Sequence, residues 1–506
     1  MSQRASGPAG AFRAAHPAPM AIAGSWEGAS TNRLSGRSST AMSASADAHR
    51  DPWTMRRMGA NVEDALRKQA MLRMVASALV RLVVGPEPDV IFKSSSPEFN
   101  AIARKWFEKA RESKRFDYRR MATLGGMAAT TLLAILDGGR IGWLKVDDGS
   151  VQAIESARIC NPSSVASTDL AIYRDGVRVN EQGRPIGYHI GRWGRTQTFV
   201  DPSGGITVGY RDLLYLVNPH LPKANATTSE PLLATAIEWI DSVSFAVSAI
   251  NAAHNNAASI ATIWTHPEPT DFADGMGYAK QAQRIQSEDG EGGQTTDVQY
   301  RQTELGWEVI GPEGMTATQV RSEHPNADLE WYFTWQIRVI AASLDMPLEA
   351  VMFLFNQSYT AHRAAFATAW PAMERWQNWL EYDFLRHVVR HALAADIRTG
   401  AVKLGGVKVP EDWREIEFIL PPMPVFDKKE EVEAAILMVN GNFSTLEDET
   451  RKLTGRDSSE VLKKRAAEVA EQKRLGIEPP QMPGSKTADA KEEKGKREEN
   501  AESQRE

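Results

Sequence analysis

The run Ile340-Ala341-Ala342-Ser343-Leu344-Asp345-Met346-Pro347-Leu348-Glu349, followed after a short gap by Asn356-Gln357-Ser358-Tyr359-Thr360-Ala361-His362-Arg363-Ala364-Ala365, decides the reading of this chain. Within the wider segment from Asn326 to His391 it reads as a helix, a short polar loop and a long Ala- and Trp-rich helix. It holds no catalytic cluster. Pro371 falls inside the second helix, where it removes a backbone hydrogen bond to the carbonyl of Ala367 and is expected to bend the axis.

Upstream, Ser229 is a good helix cap and Pro231 suits a first helical turn. The helix they predict runs to about Ser259 and places Ala236, Ile240, Val243, Val247 and Ile250 at alternating four- and three-residue steps, a seam for a neighbouring helix. Small residues around it, among them Ser242, Ser244, Ala246 and Ser248, permit close approach to identical copies as well as within one chain. Residues 267 to 300 are rich in Gly, Asp, Glu, Gln and Thr and predict a mobile insertion. Tyr300 to Ile310 then reads as one or two strands.

Nearer the start, the pattern turns helical from Asp51, with Ala65, Leu66, Met71, Leu72, Val75, Leu79, Leu82 and Val83 recurring at helical spacing until Gly85-Pro86. A second amphipathic helix spans about Ser96 to Ser113. The apolar run Met121 to Leu136 is short for a membrane span and predicts a buried helix entering a strand. Between Leu132 and Asn218 turn pairs such as Asp175-Gly176 and Ser203-Gly204-Gly205 punctuate short β-rich runs, which predicts a twisted, mostly antiparallel sheet. Downstream, Ala401 to Leu404 and Glu415 to Leu420 read as strands, and helices restart at Asp427, Ser444-Thr445 and Ser458. The fold class is therefore α+β and mainly helical.

The 506 residues allow several domains, and a 42% apolar content suffices for real cores. Net charge is −6 with acids and bases nearly balanced, so any contact with DNA must come from local placement. The single cysteine, Cys160, excludes an internal disulfide framework, zinc ribbons and CxxC redox chemistry. Residues 1–51 are rich in Ala, Ser, Gly and Pro, and read as a disordered arm with a transit-peptide-like composition as the alternative. Residues 477–506 read as a disordered, mixed-charge tail.

The spacings that chemistry requires are missing. There is no GxxxxGK[ST], GxSxG or HExxH. His387 and His391 sit one turn apart without an acidic third ligand on that face, which favours a surface or core pair over zinc, and His189 reads as a packed or surface imidazole. Asp147-Asp148 has turn context. No metal site, cofactor or catalytic residue is expected, and no membrane partner.

The opening run resembles the signature of lambda-type tailed-phage portal proteins, in which a helix ending IAAGLG-P-Y-E precedes an N-YSS-RAA loop and a long helix. The GRP-x-x-YHI strand at Gly183 to Ile190, the Leu214 to Pro222 strand and turn, and the terminal Asp427-Lys428-Lys429-Glu430 with Gly455-Arg456-Asp457 occur in the same order. Asp345 stands where the family usually has glycine, Leu348 where it has tyrosine, and Tyr359-Thr360 replaces Tyr-Ser-Ser. These departures suggest a distant member, from a prophage or gene-transfer-agent system.

The resemblance implies a subunit of a dodecameric ring at one capsid vertex, in the virion and assembled in the bacterial host cytoplasm. Double-stranded DNA is packaged through it by the terminase large subunit, retained, and later ejected, with the major capsid protein and head-completion or adaptor proteins as further partners. It also implies an antiparallel β-rich wing at 52–228, stem helices at 229–259 and 326–345, and a small α/β clip at 260–325. A tunnel loop would occupy 346–360, a long bent helix returning to the wing 361–426, and crown helices 427–476. Asn356, Gln357, Ser358 and Tyr359 would then form a polar collar around the duplex, Pro371 the kink that lets one helix reach both tunnel and wing, and the Ala236 to Ile250 seam the packing between copies. The alternatives are a metal-dependent nuclease, or other phage-encoded enzyme, with a site assembled from scattered acids, and a ring scaffold without DNA passage.

Overall fold

The computed structural model describes residues 51–163, 172–197, 199–219, 226–258, 262–265, 283–288, 295–303, 306–311, 327–353 and 358–477. The expected arm before Asp51 and the tail after Ile477 lie outside them.

The first helical run divides in two. Helix α1 (Pro52–Lys68) is capped by Asp51, whose carboxylate accepts from the Thr54 amide, and it ends at Gln69, which adopts extended backbone before α2 (Ala70–Val83) begins. The break rotates α2 so that Leu72, Val75, Leu79 and Leu82 are buried. Strand β1 (Asp89–Phe92) follows, then α3 (Pro97–Glu112), with Ser96 as its cap. Helix α4 (Leu124–Gly138) is the buried helix that the apolar run predicts. It stops at Gly139, which is left-handed at φ 72° and packs so tightly against the Ser229–Glu230 backbone that a Cβ has no room.

From that stop the chain enters β2 (Arg140–Lys145), then β3 (Val151–Ile154), β4 (Tyr173–Arg174), β5 (Val177–Val179), β6 (Pro185–Trp193), β7 (Val200–Gly209) and β8 (Leu213–Val217). One sheet was expected; two form, in the orders β3-β2-β8 and β4-β5-β6-β7, both antiparallel. Arg140 clips them together. Its guanidinium leaves the first sheet and reaches Asp175 Oδ2 at 2.6 Å, the Asp175 carbonyl at 2.9 Å and the Ile159 carbonyl at 3.0 Å in the second. Burial disfavours the Arg140 charge, but Tyr215 and Asp175 more than offset this and hold its pKa up.

Ser229 does not cap the next helix. Its hydroxyl donates to the Gly139 carbonyl and accepts from the Asn218 amide at 3.1 Å, because the strand-to-helix junction needs those partners first. Pro231 instead precedes a 3₁₀ turn, Leu232–Ala236, which leads into α5 (Ile237–Ala258). The stretch Leu232–Ala252 is long and apolar enough to cross a membrane by length and composition, yet Leu233, Ala236 and Ile240 belong to the main protein core.

The segment read as a mobile insertion contains strands. β9 (Thr262–Thr265), β10 (Gln283–Glu288), β11 (Thr295–Thr303) and β12 (Gly306–Gly311) form one sheet in the order β10-β11-β12-β9, with β12 and β9 parallel. β10 and β11 are polar, but Thr295, Thr296, Val298 and Tyr300 carry the β-branched and aromatic side chains that fit a pleated ladder. No helix occurs between 259 and 326 among the described residues, so the α part of the expected α/β unit is not seen there.

Next come α6 (Ala327–Ser343), the short α7 (Leu348–Met352) and α8 (Tyr359–Trp379). A π-helical turn, Leu380–Leu385, joins α8 to α9 (Arg386–Arg398) without a loop. Pro371 lies inside α8, and this π-turn is a second irregularity further along the same axis. The expected strand at 401–404 is absent; Val402 N instead bonds back to the Asp396 carbonyl as a helix-ending turn. β13 (Ile416–Ile419) pairs antiparallel with β1, which brings the two ends of the wrapped region together. Three helices close the described chain: α10 (Lys428–Asn440) capped by Asp427, α11 (Leu446–Thr454) capped by Thr445, and α12 (Ser458–Arg474).

The main core gathers α2, α3, α4, β2, α8, the π-turn and α9, with Leu79, Phe99, Phe107, Leu132, Trp376, Phe384 and Val388 fully enclosed. Each such side chain stabilises the fold by roughly 1.5–3 kcal/mol relative to exposure. A smaller core under Ile154, Ile159, Val177, Tyr188 and Ile190 supports the second sheet. Two buried carboxylates in this region are hydrogen-bonded. Asp396 accepts from Trp106 Nε1 and Arg115 Nη2, both at 2.8 Å, and Glu381 of the π-turn accepts from Arg386 and from the Phe418 amide.

Candidate functional site

The helix–loop–helix from α6 to α8 is built from two left-handed stops and one helix cap. Helix α6 ends in a left-handed residue, Asp345, at φ 53°. The Met346 amide donates to the Ala341 carbonyl at 2.9 Å and the Asp345 amide to the Ala342 carbonyl at 3.0 Å, the paired bonds of a Schellman cap. A left-handed cap favours glycine and tolerates Asp. Asp345 therefore holds a backbone conformation that glycine also adopts.

Pro347 then starts α7, whose Ala350 and Val351 are buried, and α7 ends in a second left-handed residue, Phe353 at φ 55°. Arg81, in the last turn of α2, secures that end. Its Nη2 donates to the Ala350 carbonyl at 2.5 Å, and its guanidinium lies 4.6 Å from the centroid of the Phe353 ring, which is otherwise exposed.

Of the four collar residues, Asn356 and Gln357 lie outside the described residues. Ser358 is exposed and caps α8, its Oγ accepting from the Ala361 amide at 3.3 Å. Tyr359 is the first helical residue, and its side chain is outside the described set. His362 is buried one turn on, with Nδ1 3.0 Å from the Ser358 carbonyl, while Arg363 is exposed beside it. Sequence reading treated the loop as neutral and passed over Arg363, although the signal stood in the quoted run as a cation one helical turn from the loop.

The seam residues divide. Ala236, Ile240 and Val243 are buried inside this chain, and the first two belong to its main core. Val247 and Ile250 are only half-buried. The near half of the seam is thus spent on the chain's own packing, because the 3₁₀ turn packs on α4 and α1 and the start of α5 lies against α1.

Three further described histidines, His189, His387 and His391, lie against the protein's own elements. His189 sits in the sheet with Nδ1 3.0 Å from Thr207 Oγ1 and Nε2 3.0 Å from the Pro202 carbonyl. His391 Nε2 lies 2.8 Å from the Val146 carbonyl, and burial lowers the pKa of both His387 and His391. Among the described residues no three His, Cys, Asp or Glu side chains are grouped to hold a metal. Asp148 accepts from the Ser150 amide and hydroxyl, as its turn context predicts.

Comparison with known proteins follows this geometry. No curated protein matches the chain. Among solved structures it is similar to a chain in the neck of an empty GTA particle computed with C6 symmetry (14% identity, TM-score 0.43) and to one in the neck of a native GTA particle computed with C12 symmetry (14% identity, TM-score 0.38). In both cases the match covers 81% of this chain and 95% of the other. Residues 30–377 match the family described as phage portal protein, lambda family. Because that match takes in most of the chain, from before α1 to near the end of α8 and including the helix–loop–helix, the protein belongs to the lambda family of phage portal proteins.

Proposed function

We propose that this chain is the repeating subunit of a ring-shaped channel at one capsid vertex, through which double-stranded DNA enters under the terminase large subunit, is held, and leaves. The observation that carries the reading is the family match across residues 30–377. The family is one of structural proteins, and the chemistry proposed here is likewise non-catalytic: guidance of a sliding polymer, with no cofactor.

In this reading residues 52–228 form the wing, α5 and α6 the stem, 260–325 the clip and α10 to α12 the crown. The major capsid protein would surround the wing, and head-completion proteins would replace the motor at the clip. Asn356, Gln357, Ser358 and Tyr359 repeat once per subunit around the duplex. Amides and hydroxyls touch phosphates without the salt-dependent attraction of clustered Lys and Arg, which suits DNA that must slide. Arg363 adds one cation per subunit near this collar. Arg81 and the two left-handed stops set the base from which the loop projects.

The test is light scattering and negative-stain imaging of the purified chain at several salt concentrations. Rings are expected; a monomer at every salt overturns the reading. Replacing Asn356 and Gln357 together with Ala should leave rings intact and reduce the DNA content of particles, and unchanged genome content would reject the collar.

A further inference from the structure

Helices α5 and α6 bury one side in this chain and leave a patterned face open. On α6, Trp331 (67% exposed), Trp335 (39%) and Arg338 recur at four- and three-residue steps, and the two indole rings stack 6.3 Å apart at 16°. On α5, Glu238, Asp241, Phe245 (78% exposed), Ser248 and Ala252 follow the same spacing, all exposed. Among the described residues none of Glu238, Asp241 and Arg338 forms an ion pair. One stripe is thus aromatic and cationic, the other acidic with an aromatic knob and small residues.

The two stripes are matched in height. Trp239 faces Trp335 at 5.4 Å and Ser242 Oγ lies 3.2 Å from Tyr332 Oη, so the helices run antiparallel in fixed register. With a rise of about 1.5 Å per residue, Arg338 stands about 3 Å along the axis from Glu238, and Trp331 about 3 Å from the level of Phe245. A rotation about an axis parallel to the pair preserves these levels.

We propose that the Trp331–Trp335–Arg338 stripe of one copy docks on the Glu238–Asp241–Phe245 stripe of the next, a head-to-tail contact that repeats around a closed ring. The inference rests on the ring reading above and assigns it a surface other than the buried seam. Arg338 pairs with Glu238 and Asp241, Trp335 lies at the level of that charge pair, and Trp331 packs on Phe245. Aromatic anchors beside a charge pair are the composition of energetic centres in protein interfaces, and complementary charge sets register and partner choice. Using different surfaces on each copy, the contact is heterologous and closes when the rotation does.

The experiment uses full-length variants and mass photometry, with circular dichroism to confirm folding. Arg338→Glu and the double variant Glu238→Lys/Asp241→Lys should each weaken association about 10- to 100-fold while keeping the wild-type spectrum. Mixed in equal amounts they should reassemble, because each then presents the charge the other lacks. Trp331→Ala should weaken association without rescue by either. Wild-type rings that persist undiminished in Arg338→Glu and Trp331→Ala overturn this interface and leave the ring standing. A wild type that forms no ring removes the ring reading itself. Wild-type chain that stays monomeric and co-sediments with phosphatidylglycerol vesicles through the same aromatic residues overturns the proposal in favour of a lipid-facing helix.

Discussion

The region around α4 and α9 and the three C-terminal helices have comparable helix lengths and opposite solutions to burial. In the first, Leu132, Ile135, Leu380, Phe384, Val388 and Val389 are enclosed, and polar groups such as Asp396 are tied into hydrogen bonds. In α10, α11 and α12 the only buried residue is Ala435, while Leu437, Phe443, Leu446 and Leu462 face outward. What attaches these helices is charge. Arg451 reaches Glu417 of β13 at 2.5 Å, and Arg104 of α3 bonds Asp89 in bidentate fashion and Glu460 of α12 at 3.1 Å. Partly exposed pairs contribute little each. One region is built around enclosed side chains; the other leaves most of its apolar surface uncovered in the single chain.

The largest effect expected from this contrast is in the core. Phe384→Ala removes a fully enclosed ring packed 5.1 Å from Trp143 and should cost about 3–5 kcal/mol in denaturant unfolding. Leu437→Ala, at a residue 70% exposed, should stay within about 0.5 kcal/mol in the isolated chain. Equal costs at the two positions would erase the comparison.

A middle-sized effect tests whether the packed region is itself free of strain. Asp137, in the last turn of α4, has its pKa pushed up to about 6 by burial first and then by Glu63 and Glu155. Its folded pKa thus exceeds the unfolded value. The folded state binds the extra proton, so the stability this group contributes is complete below about pH 4 and is lost as pH rises through 6. Asp137→Asn should therefore raise stability at pH 7 by on the order of 2 kcal/mol, with the gain shrinking towards pH 4. Chemical denaturation of both proteins across that range measures it; a gain that does not depend on pH would assign the effect to something other than this charge.

Local chemistry was legible in the sequence and long-range pairing was not. Ser96, Asp427 and Thr445 stand at expected helix starts and each caps its helix, a short-range contact, whereas Ser229, read as a cap, is bonded to the Gly139 and Asn218 backbone instead. The contact that joins the two sheets of the β-rich stretch, Arg140 on Asp175, spans 35 positions, which no turn pair encodes. The strand β10 and the part of β11 before Tyr300 were missed because polar alternation looks like a loop until a partner strand is known. The π-turn at Leu380–Leu385 left no mark in composition. The seam on α5 shows the limit most clearly: apolar spacing declares that a face is buried, but not by what, and its first three residues are buried by this chain.

The smallest effect lies where the quoted run departs from its family. Asp345 holds φ 53° at the end of α6, a conformation that costs most L-residues about 1 kcal/mol and glycine almost nothing. Against this, glycine frees the unfolded chain and loses whatever the carboxylate contributes. Asp345→Gly should therefore raise thermal stability slightly, by about 0.5 kcal/mol, while Asp345→Asn stays near neutral because Asn also tolerates the left-handed region. Asp345→Val should cost more than 1 kcal/mol, since a β-branched side chain crowds that conformation most. Melting curves for the three variants separate the explanations. The order Gly, Asn, Val means that the position is selected for its backbone, and the Asp345 departure is then a neutral one. If Gly and Asn both destabilise as much as Val, the carboxylate itself is what the end of α6 requires, and the run that organises this chain differs from its family in chemistry as well as in spelling.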